Sequence, residues 1–98
     1  MMNYGHEGSK LRALARRDGV RFWYRSHAES ELRDDNIPKI DVENMLRRCR
    51  VTMVEEREGE LTRRAEGTDA DGRRIAVIVV PYEDTGIIKV ITGWAIKR

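Results

Sequence analysis

The sequence predicts an α+β fold, an antiparallel β-meander with two to three helices packed on one face of its sheet. Three observations carry this reading. Residues 73–80, RRIAVIVV, form a continuous, largely β-branched apolar run bounded by Asp71-Gly72 and Pro81, the pattern of a strand buried on both faces. The runs 50–55, 61–67, 73–81 and 87–95 are separated by Glu58-Gly59, Asp71-Gly72 and Thr85-Gly86, and turn pairs at that spacing favour consecutive antiparallel pairing over crossovers. Ahead of them, residues 9–17, 26–35 and 38–48 carry helical patterns.

Taken in order, residues 9–17, SKLRALARR, set Leu11, Leu14 and Ala15 on one side of a short basic helix that stops at Asp18-Gly19. Residues 1–19 are set apart as an N-terminal extension carrying this helix, and 20–98 as a single domain. Its basic face is either solvated or a contact for phosphate or a partner. Residues 20–24, VRFWY, alternate as a strand. Ser26-His27-Ala28-Glu29 has the spacing of a capping box, which places His27 in a first helical turn, and Asn36 tolerates the positive φ that ends the helix. Ile37-Pro38 opens a third helix, on which Val42, Met45, Leu46 and Cys49 form one apolar stripe, making Cys49 a packed thiol. In the central run Ile75, Val77 and Val79 face one side and Ala76, Ile78 and Val80 the other. Two helices cover one face only. The second face is therefore expected to be covered by the N-terminal helix, a second copy or another chain, and a homo-oligomer is expected.

Charged residues make up 37% of the 98, yet the net charge is only +2, so no global field draws in nucleic acid and any anion site must be local. The bases are mostly arginine, whose planar fork suits phosphate or carboxylate. Cys49 is the single cysteine, which excludes an intrachain disulfide and fits a reducing compartment. With no apolar stretch at the start and none long enough to span a bilayer, a cytoplasmic location without membrane contact is expected. His6, His27 and Cys49 lack ligand spacing, and no phosphate-binding glycine loop or dinucleotide fingerprint is present, so no metal or cofactor is expected. Asp69-Ala70-Asp71-Gly72 opens like a calcium loop but lacks the later carboxylate, and a hairpin turn explains it.

His27-Ala28, Leu32, Ile37, Val42 and Leu46, then Gly67-x-Asp69-x-x-Gly72-Arg73 and Val90-Ile91-Thr92, resemble the domain of unknown function 4258 family. That family is grouped by resemblance with the RelE/ParE and BrnT-like toxins of bacterial toxin–antitoxin pairs. Asp35-Asn36 stands where relatives commonly carry Arg-Gly, which puts a carboxylate in place of a cation. The resemblance implies helices packed on an antiparallel sheet and a ribonuclease toxin, with RNA as substrate and an antitoxin protein as partner.

Metal-independent RNA cleavage needs a base for the 2′-hydroxyl, cations or donors for the phosphorane, and an acid for the leaving oxygen. His27 is the candidate base, since a helix N-terminus disfavours the imidazolium; the competing reading has it tying the helix start to the sheet. Tyr82 is the candidate acid, or else a loop anchor. Arg63, Arg64 and Arg73, with Arg74 beside them, are candidates for phosphate binding, although Glu66 and Asp69 could neutralise them. Lys97 and Arg98 add terminal cations. The alternative from a different class is a non-enzymatic interaction domain that associates through its sheet.

Overall fold

In the computed structural model, which describes residues 3–97, the apolar run becomes strand β4 (Arg74–Tyr82), the middle of a five-stranded sheet. The other elements are α1 (Gly5–Arg16), β1 (Arg21–Tyr24), α2 (Ser26–Asp34), α3 (Lys39–Leu46), β2 (Arg50–Arg57), β3 (Glu60–Thr68) and β5 (Ile87–Ala95). Strand order is β1-β5-β4-β3-β2. The α+β class and the meander hold, because β2 to β5 pair consecutively and antiparallel. One pair departs from the pattern: β1 lies parallel to β5, with Arg21 opposite Ile87 and Tyr24 opposite Val90. Parallel neighbours need a long connection, and here the rest of the chain supplies it. At the β2–β3 hairpin Glu58 (φ 51°) and Gly59 (φ 80°) both take the left-handed conformation, the backbone of a type I′ turn.

Helix boundaries differ from expectation for local reasons. Helix α1 starts at Gly5, four residues before the basic stretch, because the Asn3 side-chain oxygen accepts from the Gly5 amide at 2.9 Å and the Tyr4 carbonyl from Gly8 at 2.9 Å. The expected capping box does not form. The Arg25 amide donates to Val90 at 3.0 Å and its carbonyl accepts from Glu29 at 3.0 Å, so the helix begins one residue early and Ser26 lies inside it. Glu29 is thereby released to bind Lys39. Asn36 does end α2, at φ 56°, with the Ile37 amide on the Leu32 carbonyl at 2.8 Å and the Asn36 amide on Arg33 at 3.0 Å, a Schellman motif in which buried Leu32 and Ile37 supply the apolar contact. Helix α3 stops at Leu46, so Cys49 follows it, yet the thiol is buried and burial pushes its pKa up to about 11.

All three helices pack on one face of the sheet. Leu11, Leu14 and Ala15 from α1, Leu32 from α2 and Met45 and Leu46 from α3 close over Ala65, Ile75, Val77, Val79, Ile88 and Val90. The segment before residue 20 thus shares the core of the rest. A Cβ on Gly67 would lie 2.6 Å from Met45 Cγ, and one on Gly93 would lie 2.8 Å from Leu32 Cδ2, so bare backbone at both positions lets α3 and α2 settle close.

The reasoning that the second face needs a separate cover is corrected by this arrangement. Helix α1 sits with the other helices, yet Ala76, Ile78 and Val80 are buried on the helix-free face within the single chain. Long side chains from the neighbouring strands roof them. Among the described residues no helix is long and apolar enough to cross a membrane.

Candidate functional site

Register assigns the helix-free face. Glu66, Arg64 and, by alternation, Thr62 and Glu60 on β3 lie beside Ala76, Ile78, Val80 and Tyr82 on β4, and Trp94, Thr92, Lys89 and Ile87 on β5 lie along the other flank. Trp23 of β1 stands opposite Lys89 and is 59% exposed. In the middle of this face the Arg64 guanidinium stacks over Trp94 at 5.1 Å. Glu66 binds Arg64 at 2.9 Å and Arg74 at 3.0 Å and accepts from the Thr52 hydroxyl at 2.9 Å. The buried Nε of Arg64 is near Glu66 but not aligned to donate, and its terminal nitrogens make no hydrogen bond among the described residues. The guanidinium is held by its ion pair with Glu66 and its stacking on Trp94, with the terminal nitrogens left as donors.

Towards the opposite end of β3 lies a charged cluster. Lys89, only 6% exposed, donates to Glu60 Oε1 at 2.8 Å, and the Tyr82 hydroxyl donates to the other oxygen of the same carboxylate. The ammonium also lies 5.5 Å from the Tyr82 ring and 5.9 Å from the Trp23 ring. Hydrogen bonds from Lys89 and then Tyr82 hold the Glu60 carboxyl below its ordinary range, and the bond to Glu60 holds the Lys89 pKa above its own. The cluster therefore carries a fixed ammonium in a partly apolar setting, where an ion is expensive unless paired. Arg25, the residue before α2, adds positive charge toward Glu60.

His27 occupies the first turn of α2 as expected, but its side chain is 68% exposed and does not tie the helix to the sheet directly. Its Nε2 lies 2.8 Å from Glu31 Oε1, the oxygen that also accepts from Thr92 Oγ1 at 3.0 Å. This contact occupies Nε2 and leaves Nδ1 without a partner among the described residues. Helix α2 can reach Thr92 because β1 stops at Tyr24 and leaves the far half of β5 as an edge; the Ala95 amide there donates to Asp35 at 2.8 Å. Thr92 pairs with Ile78 and Lys89 with Val80, so the two are successive same-face positions about 7 Å apart. A band thus runs from His27 through Glu31 and Thr92 to Lys89, Glu60 and Tyr82.

The other residues singled out in the sequence separate. Arg63 and Arg64 point to opposite faces: Arg63 is on the helix side, paired with Glu7 at 3.0 Å and bonded to the Leu61 carbonyl. Arg73 sits in the β3–β4 turn, where its Nε meets Asp69 at 3.0 Å and its terminal nitrogens donate to the carbonyls of Asp35 at 2.8 Å and Asn36 at 3.0 Å. These three arginines do not share one patch, because neighbouring strand positions alternate faces and Arg73 turns back to cap α2. Burial by itself would raise the Asp69 carboxyl, but the Arg73 amide and guanidinium and the Asp71 amide together bring it below its ordinary range. Lys97 is exposed beyond β5, and Arg98 lies outside the described residues. Among the described residues no three His, Cys, Asp or Glu side chains converge as metal ligands would.

Sequence reasoning missed Glu31, Glu60, Lys89 and Thr92. Lys89 left a trace, as the one charge inside the apolar run 87–91, and Thr92 as the end of the Val90-Ile91-Thr92 stretch that resembles the family. Packing accounts for most residues that carry the family resemblance: Ala28, Leu32, Ile37, Val42 and Leu46 are core, and Asp69 with Arg73 forms the clamp on α2. His27 is exposed, and packing gives it no role. A comparison with curated proteins finds no match. The chain belongs to the family described as Domain of unknown function (DUF4258), whose model matches residues 24–92.

Proposed function

We propose that the helix-free face binds single-stranded RNA and cleaves it without a metal ion, in the manner of the RelE- and BrnT-like toxins, and that an antitoxin chain silences it by covering this face. The observation that carries the reading is Lys89, an almost buried ammonium fixed by Glu60 beside Tyr82 on the one sheet face that no helix covers. The exposed ring of Trp23 offers a stacking platform, and the terminal nitrogens of Arg64, whose guanidinium is held by Glu66 over Trp94, offer phosphate donors. In the proposed step His27 Nδ1 takes the 2′-hydroxyl proton as O2′ bonds to phosphorus, and the P–O5′ bond breaks as Tyr82 returns a proton to O5′. The products are a 2′,3′-cyclic phosphate and a 5′-hydroxyl. Lys89 and Arg64 offset the extra negative charge on the phosphorane. Glu60 positions Lys89 and Tyr82. Incubation of a labelled single-stranded RNA in chelator-treated buffer tests this directly: cleavage by the native protein and its loss in Tyr82→Phe are expected, and an intact RNA would refute it.

A second reading has its own observation. Strand β2 is a sheet edge eight residues long, with Met53 44% exposed on it and Leu61 51% exposed on its neighbour. A non-enzymatic domain that associates with a second copy or another chain through this edge would use those groups. Sedimentation of the native protein and of Met53→Lys separates the readings, since only association through the edge is lost in the variant.

A further inference from the structure

At the end of the sheet away from Lys89, a cavity of about 330 Å³ is lined by Arg48, Arg50, Arg74, Glu66, Gly67 and Thr68. Three guanidiniums face one carboxylate there. Glu66 is already committed to Arg64, Arg74 and Thr52, so its charge is used internally. Among the described residues Arg48 binds only the neutral Thr68, through the carbonyl at 2.7 Å and the hydroxyl at 3.5 Å. Arg50, exposed and opposite Glu66 in the β2–β3 pairing, has neither ion pair nor hydrogen bond among the described residues. Arg48 and Arg50 thus bring to one cavity two guanidiniums that have no carboxylate of their own among the described residues. Each fork has more donors than these contacts use, and an oxyanion with several acceptor oxygens satisfies two forks at once while removing their mutual repulsion.

We infer that this cavity is a binding site for a phosphate group, held between Arg48 and Arg50. The inference does not depend on cleavage chemistry. The phosphate belongs either to a nucleic-acid strand or to a free phosphate compound. If to a strand, geometry sets the spacing: Glu60 and Glu66 are six residues apart on β3, so the cavity lies roughly 20 Å from the Lys89 cluster, a few nucleotides along an extended chain.

The test uses the whole chain at constant ionic strength, titrated with pyrophosphate and followed by thermal melting. Pyrophosphate should raise the Tm of the native protein and of Arg16→Gln, an equal loss of charge outside the cavity. In Arg50→Gln and Arg48→Gln its apparent affinity should fall about tenfold or more. Arg50→Gln is the decisive variant, since an exposed side chain with no partner among the described residues can be removed without unfolding the protein. A five-nucleotide RNA distinguishes the sources. Weaker RNA binding in Arg50→Gln, with a shallower salt dependence, assigns the phosphate to a strand, whereas unchanged RNA binding with pyrophosphate binding lost assigns it to a free compound; both support the site. A native protein that responds to pyrophosphate but binds no RNA would end the ribonuclease reading and leave this one standing. No response in the native protein, or the same response in both cavity variants, overturns the inference.

Discussion

Lys89 Nζ lies 2.8 Å from Glu60 Oε1 on the sheet face that carries no helix, with its stem beside Val80 on the adjacent strand. The pair does two things. The stem helps roof the apolar centre of the face, and the fixed ammonium gives that face a charge that water only partly screens.

Substitution separates the two roles. Lys89→Met keeps the apolar stem but leaves Glu60 without its cation, so stability should fall by about 1 to 3 kcal/mol, held to that because the Glu60 side chain is one-third exposed. RNA cleavage should fall by about a hundredfold or more, the usual loss when a preorganised electrostatic group is removed. Unfolding midpoints alongside cleavage rates measure both, and an unchanged rate would leave Lys89 only its roofing role.

His27→Ala removes an exposed side chain, so Tm should stay within a few degrees of native, while loss of a proton acceptor lowers the cleavage rate by about a hundredfold. Glu31→Gln should lower the rate less, because Nδ1 keeps its place but loses the carboxylate that orients the ring. A destabilised His27→Ala with full activity would instead make the histidine a helix anchor.

Asp69 and Arg73 clamp the β3–β4 turn to the end of α2, and removing either partner strands buried polar groups. Asp69→Asn and Arg73→Ala should each cost about 2 to 3 kcal/mol in denaturant unfolding. The Asp69 pKa is lowered on folding, so its contribution is present above the unfolded value near 4 and is lost as pH falls through the folded value. Within that acid window the native protein should lose stability more steeply than Asp69→Asn. Parallel slopes would mean that Glu29 and Glu60, also lowered, carry the whole acid limb.

Gly93→Ala is expected to destabilise by about 1 to 3 kcal/mol, because the added methyl would lie 2.8 Å from Leu32 and 2.9 Å from Val77, with the Ala76 carbonyl at 3.3 Å. Chemical denaturation reads the cost. The double variant Gly93→Ala with Leu32→Val should recover part of it if the clash is the cause, and no recovery would point to backbone strain instead.

The sequence by itself determined the α+β class, the meander, the turns and the helix stop at Asn36, because these depend on local quantities: the period of apolar residues, the φ that a residue tolerates, and turn pairs between runs. It also placed His27 in a first helical turn and Cys49 in the core. Tertiary structure decided which residues meet. The capping box at Ser26 gave way once the Arg25 amide paired with Val90, and Glu29 turned to Lys39. Arg63 and Arg64, adjacent in the chain, were sent to opposite faces by the pleat, and Arg73 was drawn off to the α2 carbonyls. The helix-free face, which a helix count left bare, was roofed by Arg64, Glu66, Lys89 and Tyr82 from different strands. Glu60 and Lys89 are 29 positions apart in sequence, and no periodicity within either strand could indicate their contact. Only the antiparallel register of β3, β4 and β5 put them side by side, because pairing between strands fixes neighbours that local propensity leaves free.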